Sequence, residues 1–278
     1  MKSCTTKFPA VFVNHGGGPM PLLGKQPEIT HHLRKELVTK YLPETPTSIV
    51  VLSAHWESHI VSITSSANPS MVYDYSGFPP ESYKYQYPAP GSPELANKIQ
   101  GLFEQHGIKS QLDDKRGYDH GVFVPLMLMY PNPIIPVVCV SLDASLSIEK
   151  NLKIGSALQS LREEGVLILG SGYTFHNMGG FFNPTKEILS ASTEFNTWLK
   201  ETMTHRDDRE GGTALKAKLL EWEKAPGARL CHPREEHLLP LFMTAAAAGW
   251  NSKAEVIYES TELGISVSGY LFHWAKDK

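Results

Sequence analysis

The sequence is short of charge imbalance, of cysteine and of long apolar runs. Lys plus Arg number 26 against 29 Asp plus Glu, a net charge of −3, and no basic cluster interrupts the chain. That argues against nucleic acid or an anionic membrane as the partner. Only three cysteines occur, Cys4, Cys139 and Cys231. They are widely spaced and form no CxxC pair, so a reducing, cytoplasmic compartment fits best. No segment approaches the roughly 20 apolar residues of a membrane span. The start, Met1 to Lys7, leads into an apolar run too short for a signal peptide. No HExxH signature, linker, internal repeat or low-complexity tract is visible. What is present is a 278-residue chain with 41% hydrophobic residues, enough for a substantial core.

The apolar runs are short and lie between helical patterns. Phe8–Val13, Ser48–Ser53, Ile60–Thr64, Pro136–Leu142 and Val166–Gly170 read as strands, several of them buried on both faces. Ala254–Ser260 and Ser266–Trp274 read as closing strands. Helices are expected over Gln26–Tyr41, from Ser92 (N-cap, with Pro93 at the first position) to about His106, from just after the Lys115–Gly121 loop to Tyr130, and over Ser147–Glu163. Further helices are expected over Thr185–Thr204, Ala214–Lys224 and Pro233–Ala248, with Gly249 as the last cap. A polar loop is expected at Arg206–Gly212. Strands alternating with helices place the chain in the α/β class. Asn68–Pro93 is a long loop rich in Pro, Gly and Tyr; its aromatic content argues against disorder.

Twelve histidines occur. His31, His32, His59, His106 and His205 are expected on solvated surface, His273 in a strand as core or surface, and His232 beside Pro233 as a helix cap. Five others stand apart. His15 follows the first strand and precedes three glycines; His55 and His176 follow the ends of other strands. His120 sits in an Asp-His-Gly loop, and His237 in the first turns of the last helix. Strand carboxyl ends are where open α/β sheets bind ligands, and imidazole is a common ligand for zinc and non-haem iron. A helix N-terminus disfavours imidazolium, and a neutral ring is what a metal requires. A hydrogen-bonded core histidine is the alternative for any one of them, and it weakens when three or more share strand ends.

Six motifs, in order, carry a resemblance: Asn14-His15-Gly16-Gly17-Gly18-Pro19, Ser53-Ala54-His55-Trp56, Tyr87 to Leu95, Asp119-His120-Gly121, His176-Asn177, and Glu236-His237-Leu238-Leu239-Pro240-Leu241. Together they resemble the DODA-type, LigB-like (class III) extradiol aromatic-ring-opening dioxygenases of the 4,5-DOPA dioxygenase group, over about Pro9 to the C-terminus. The resemblance implies a single catalytic domain, residues 1–278, with a central mixed β-sheet flanked by helices (a LigB-like, phosphorylase/hydrolase-like architecture). It implies one divalent metal held by His15, His55 and His237, with Fe(II) expected for catalysis and Zn(II) also compatible. It implies His176 as catalytic histidine and His120 as a histidine close to the reaction. Many extradiol sites use two histidines and a carboxylate; here Glu236 stands beside His237. Neighbours on a helix face different ways, so His237 is taken as the ligand and Glu236 as its outer partner.

The activity implied is opening of a catechol ring by O2 to a muconic semialdehyde, with DOPA or a related catecholic acid as substrate. His176 is the candidate acid and base, a fourth-ligand role being its alternative, and His120 the candidate partner of the bound oxygens. Tyr73 and Tyr75, in the aromatic loop, are read as pocket wall or as part of a packed lid. Asp119 is expected to orient His120. Ser53 and Asn177 are read either as outer partners of the site or as satisfying backbone groups, and Trp56 as core. Arg116 and Arg234 are the nearest cations for a substrate carboxylate. Two other classes stay open: a zinc hydrolase on the same histidines, and a metal-binding relative without catalysis.

Overall fold

The computed structural model describes residues 7–42, 44–204 and 212–274. The expected loop at 206–212 falls outside them apart from Gly212, as do Cys4 and His205. Eight strands form one mixed sheet in the order β4-β3-β5-β2-β6-β1-β8-β7. They are β1 (Ala10–Asn14), β2 (Ser48–Ser58), β3 (Val61–Thr64), β4 (Ser110–Asp113), β5 (Val137–Asp143), β6 (Val166–Gly172), β7 (Ala254–Glu262) and β8 (Ile265–Phe272). The helices are α1 (Pro27–His31), α2 (Pro93–Gln105), α3 (His120–Met129), α4 (Ile148–Ala157), α5 (Met178–Phe182), α6 (Lys186–Thr204), α7 (Thr213–Leu220), α8 (Ala228–Cys231) and α9 (Leu239–Ala248). The expected α/β class with a central mixed sheet is thus what the chain adopts.

The centre of the sheet is parallel: β5, β2, β6 and β1 pair side by side in that sense. Their apolar runs, Ile49–Leu52, Val137–Val140, Val166–Leu169 and Ala10–Val13, are fully buried. Such runs form strands without alternation because helices cover both faces. α9 packs over β6, β1 and β2, and its Ala245–Ala248 run lets it lie close. At one edge β8 and β7 continue the sheet antiparallel, and α6 packs against them.

Several local expectations are corrected. β4 was not foreseen: its residues are half-buried or exposed, so it lacks an apolar run. The helix expected over Gln26–Tyr41 is α-helical only to His31 and continues as a π-helix over His32–Tyr41, closed by Leu42 N–H donating to Leu37 O at 3.1 Å. The register shift of that wider turn accompanies burial of His32, expected on the surface. His32 is held by Glu36 at 3.2 Å and packs on the Tyr258 ring. The helix expected over Ser147–Glu163 breaks after Ala157 into a 3-10 turn, Gln159–Glu164, and Ala214–Lys224 divides in the same way. Ser92 caps α2 as expected, accepting Leu95 N–H at 3.2 Å.

Arg162 ties three separated segments together with no carboxylate partner among the described residues. It is fully buried and donates to Phe8 O (2.9 Å), Ala248 O (2.5 Å) and Phe272 O (3.2 Å). Burial lowers its pKa to about 10, so it remains a cation at neutral pH. Replacing it strips three carbonyls of a charged donor, each worth about 1–3 kcal/mol when buried and unpaired. Arg162→Met is therefore expected to lose about 3 kcal/mol or more of stability, read from the urea midpoint. A loss under about 1 kcal/mol contradicts this account.

Candidate metal centre and active site

β2, β6 and β1 are adjacent and parallel, so their carboxyl ends open on one edge of the sheet. His15 directly follows β1, and His176 follows β6 after a three-residue stretch, Tyr173–Phe175. His55 does not follow a strand end as expected. β2 runs on to Ser58, and His55 lies in the irregular stretch where pairing with β5 shifts between Leu52 and Glu57. His237 also differs from expectation: α9 starts at Leu239, and His237 sits in the turn before it. Pro240 occupies the first turn, where its missing N–H costs nothing. Tyr173 N–H donates to His237 O at 3.0 Å and His176 N–H to Cys231 O at 2.9 Å, which pins this turn against the end of β6.

One ring nitrogen from each of His15, His55 and His237 lies within 4.8 Å of the other two. The hydrogen bonds behind them settle which nitrogen faces inward. Ser171 Oγ–H donates to Gly121 O, so Ser171 accepts the Nδ1–H of His15 at 3.0 Å, leaving Nε2 with its lone pair. His237 Nδ1 donates to Glu236 Oε1 at 2.8 Å. His55 Nδ1 faces Asp74 Oδ2 at 3.5 Å, while its Nε2 stands 3.1 Å from His15 Nε2. If His55 carries its proton on Nδ1, two lone pairs meet at 3.1 Å; if on Nε2, the bare Nδ1 meets a carboxylate. A cation shared by the Nε2 atoms relieves the conflict. Two nitrogens about 2.1 Å from one metal lie about 3.0–3.4 Å apart at tetrahedral or octahedral angles. The donor set therefore fits a divalent metal.

Burial first, and then the neighbouring imidazoles, holds His15 and His237 well below the ordinary histidine value. Burial, followed by repulsion from His120 and against the pull of Asp74, takes His55 down to about 3. Neutral rings at neutral pH are what metal ligation requires.

The other two histidines lie beside the ligands. His176 stacks on His237, with ring centroids 3.4 Å apart and planes at 16°, and its Nδ1 lies 3.0 Å from the same Glu236 Oε1. Burial opposes ionisation of Glu236, but the His176 hydrogen bond and the Arg234 charge outweigh it and keep the carboxyl below its usual range. Arg234 itself forks onto Glu57 at 2.6 and 2.5 Å and reaches Glu236 Oε2 at 3.4 Å. His120 opens α3 with its ring 3.9 Å from that of His55, centroid to centroid.

The Asp119 carboxylate, expected as one of two ways for this residue to orient His120, does not meet that ring. It accepts Ser53 Oγ–H at 2.8 Å and Arg116 Nη2 at 2.8 Å, and Arg116 also reaches His55 O at 3.1 Å. The group on His120 is Asp74, which the sequence reading passed over. Its Oδ1 accepts both the main-chain N–H (2.9 Å) and Nδ1 (2.8 Å) of His120. The available signal was an acidic residue between Tyr73 and Tyr75, in a long ordered loop. Asn177 caps α5, accepting Gly180 N–H and donating to Leu230 O, so it satisfies backbone rather than facing the cluster. Trp56 is buried, as expected, and packs against Arg116.

Tyr73 and Tyr75 spend their hydroxyls inside their own loop, on Tyr85 O and Ser82 O, each at 2.6 Å. Tyr75 also sets its ring edge-on to His120 at 5.9 Å. The glycine turn is shaped by this loop. Gly16 and Gly18 have φ of +87° and +55°, and a Cβ on Gly18 would press on Phe78 at 3.2 Å and Tyr75 at 3.5 Å. The glycines thus admit the sharp turn and seat the aromatic loop upon it.

Residues 3–272 match the family described as the catalytic LigB subunit of aromatic ring-opening dioxygenase. The chain belongs to this family. It is similar to the 4,5-DOPA dioxygenase extradiol of Beta vulgaris, 39% identical over 266 residues that cover 94% of this chain and 95% of the relative. It is also similar to the protein of the same description from Escherichia coli K12, 32% identical over 94% and 92% of the two chains. The crystal structure of an uncharacterized Escherichia coli K12 protein shares the fold with a TM-score of 0.76 and 28% identity, over 95% of this chain and 99% of that one. The protein is accordingly an extradiol ring-opening dioxygenase, and LigB family membership implies a non-haem metal. Among the described residues no helix is long and apolar enough to cross a membrane.

A buried histidine outside the cluster makes stability depend on pH. His232, expected as a helix cap, is fully buried beside Phe195 and Trp222. Among the described residues neither ring nitrogen has a hydrogen-bond partner of good geometry. Burial, partly offset by the Thr174 main chain, pushes it down to about 3. Its unfolded value is about 6.5, so between those values the unfolded chain takes a proton that the folded protein refuses. Stability from this ring is complete above about pH 6.5 and falls on acidification by about 1.4 kcal/mol per pH unit. Urea titrations between pH 6 and 4 are expected to show a slope shallower by about one proton in His232→Leu. An unchanged slope rules out this assignment.

Proposed function

We propose that this dioxygenase opens the ring of a catecholic acid of the DOPA type, using a divalent metal held by His15, His55 and His237, with His176 as acid and base. The observation that carries the reading is the convergence of one ring nitrogen from each of His15, His55 and His237 at one sheet edge, with the Glu236-linked ring of His176 stacked on His237. The names of the relatives support a DOPA-like substrate. In the net reaction the ring C–C bond next to the diol breaks, and both atoms of O2 enter a muconic semialdehyde. Fe(II) is the metal proposed for turnover; zinc suits the same three imidazoles. When bound, the metal supplies a Lewis-acid centre for the diol and an electron path from catechol to O2.

The side chains do the rest. Glu236 occupies the Nδ1 side of His176, so Nε2 takes the catechol proton and returns it to the departing oxygen. His120, tied by Nδ1 to Asp74, offers its Nε2 to the reacting oxygens. Tyr75, edge-on to His120, walls the site on the side of the aromatic loop. Residues 1–278 are proposed to act as one catalytic domain in the cytoplasm, in keeping with the buried free thiols of Cys139 and Cys231.

The test is anaerobic loading with Fe(II), addition of a catechol and then air. A yellow product that requires O2 is expected. No product from DOPA, caffeate, protocatechuate or simple catechol at full iron occupancy would sink the reading, and turnover without O2 would point to a hydrolase. His176→Ala is expected to keep bound metal and lose turnover by about 100-fold or more, the range of a removed general acid-base group. Loss of metal instead makes His176 a ligand. His15→Ala, His55→Ala and His237→Ala are each expected to lose metal, by elemental analysis after desalting.

A further inference from the structure

Each of two carboxylates at the site holds one of the proposed ligands and one free histidine. Glu236 faces His237 and His176. Asp74 faces His55 and His120, although it comes from the aromatic loop, far in sequence from both. It also does work that Asp119 leaves undone. Asp119 occupies the N-cap position of α3 but makes no side-chain cap bond, because Ser53 and Arg116 use its oxygens. Asp74 Oδ1 instead accepts the His120 N–H that opens the helix, and a negative charge is favoured there. Toward His120, Asp74 Oδ1 is an acceptor, since the main-chain N–H it meets can only donate.

We propose that Asp74 is a positioning residue of this site: its carboxylate keeps the proton of both His55 and His120 on Nδ1, so that both present Nε2 to the metal and its substrate. The observations converge on that assignment. His120 Nδ1 lies 2.8 Å from Oδ1, a distance at which a carboxylate needs a proton between. His55 Nδ1 lies 3.5 Å from Oδ2, while its other nitrogen points at His15. A carboxylate behind a ligating imidazole raises its basicity and fixes its orientation. With Glu236 it places two negative charges around a centre whose three imidazoles bring none. It also links the aromatic loop to the metal: Tyr75 and Asp74 are consecutive, and both meet His120.

The inference rests on the metal centre proposed above, but its test needs neither catechol nor O2. Histidine 15N chemical shifts are recorded on zinc-loaded wild type, Asp74→Asn and, as a control, Glu81→Gln, an exposed carboxylate of the same loop. Zinc affinity is measured by chelator competition on the same three proteins. Wild type is expected to show His55 and His120 protonated on Nδ1. Asp74→Asn is expected to move His120 toward the Nε2–H form and to weaken zinc by about 10–100-fold, while Glu81→Gln matches wild type. A His120 protonated on Nε2 in the wild type overturns the proposal without any variant. So does an Asp74→Asn protein with wild-type tautomers or wild-type zinc affinity. Failure of ring opening in the wild type would sink the functional reading and leave these results standing.

Discussion

Five imidazoles share one partly buried edge of the sheet, and the structure is arranged around what each does with its Nδ1. A buried polar atom without a partner costs more than a hydrogen bond yields. Every Nδ1 in the cluster accordingly faces an oxygen: Ser171 behind His15, Asp74 by His55 and His120, Glu236 behind His237 and His176. With those nitrogens directed outward, the Nε2 atoms of the three proposed ligands converge. Metal affinity at such a site is a property of the outer ring of acceptors as much as of the imidazoles.

That arrangement makes demands on the scaffold. β6 stands between β1 and β2, so strands from opposite halves of the chain bring their ends together. The turn carrying His237 is held to the end of β6 by the Tyr173 N–H donating to His237 O, and the end of α8 before it by the His176 N–H donating to Cys231 O. The aromatic loop is tied to itself through Tyr73 and Tyr75 and rests on the glycine turn, which places Asp74 against two histidines. The loop has few spare hydroxyls for a ligand, so its role at the site runs through its rings and the Asp74 carboxylate.

The charge balance answers a question raised by the histidine in place of a ligating carboxylate. Three neutral imidazoles, if they hold a divalent ion as proposed, leave it uncompensated at first contact. Asp74 and Glu236 return two negative charges at one remove, and Arg234 and Glu57 continue the network outward. His120 and His176 each meet one of these carboxylates through Nδ1.

Local pattern alone determined the α/β class, the buried central strands, the Ser92 cap and the five clustered histidines, because continuous apolar runs, turn residues and strand-end positions are local signals. The motif order pointed to the LigB family, and the match over residues 3–272 agrees with it. Tertiary structure decided the rest. β4 pairs as an edge strand without an apolar run of its own. His55 sits within an irregularity of β2 that only its pairing with β5 reveals. His32 and His232 are buried by elements distant in sequence. Asp74 rather than Asp119 meets His120, because the neighbour in sequence is already occupied by Ser53 and Arg116. A hydrogen-bond partner is chosen by proximity in space, and a sequence records proximity only along the chain.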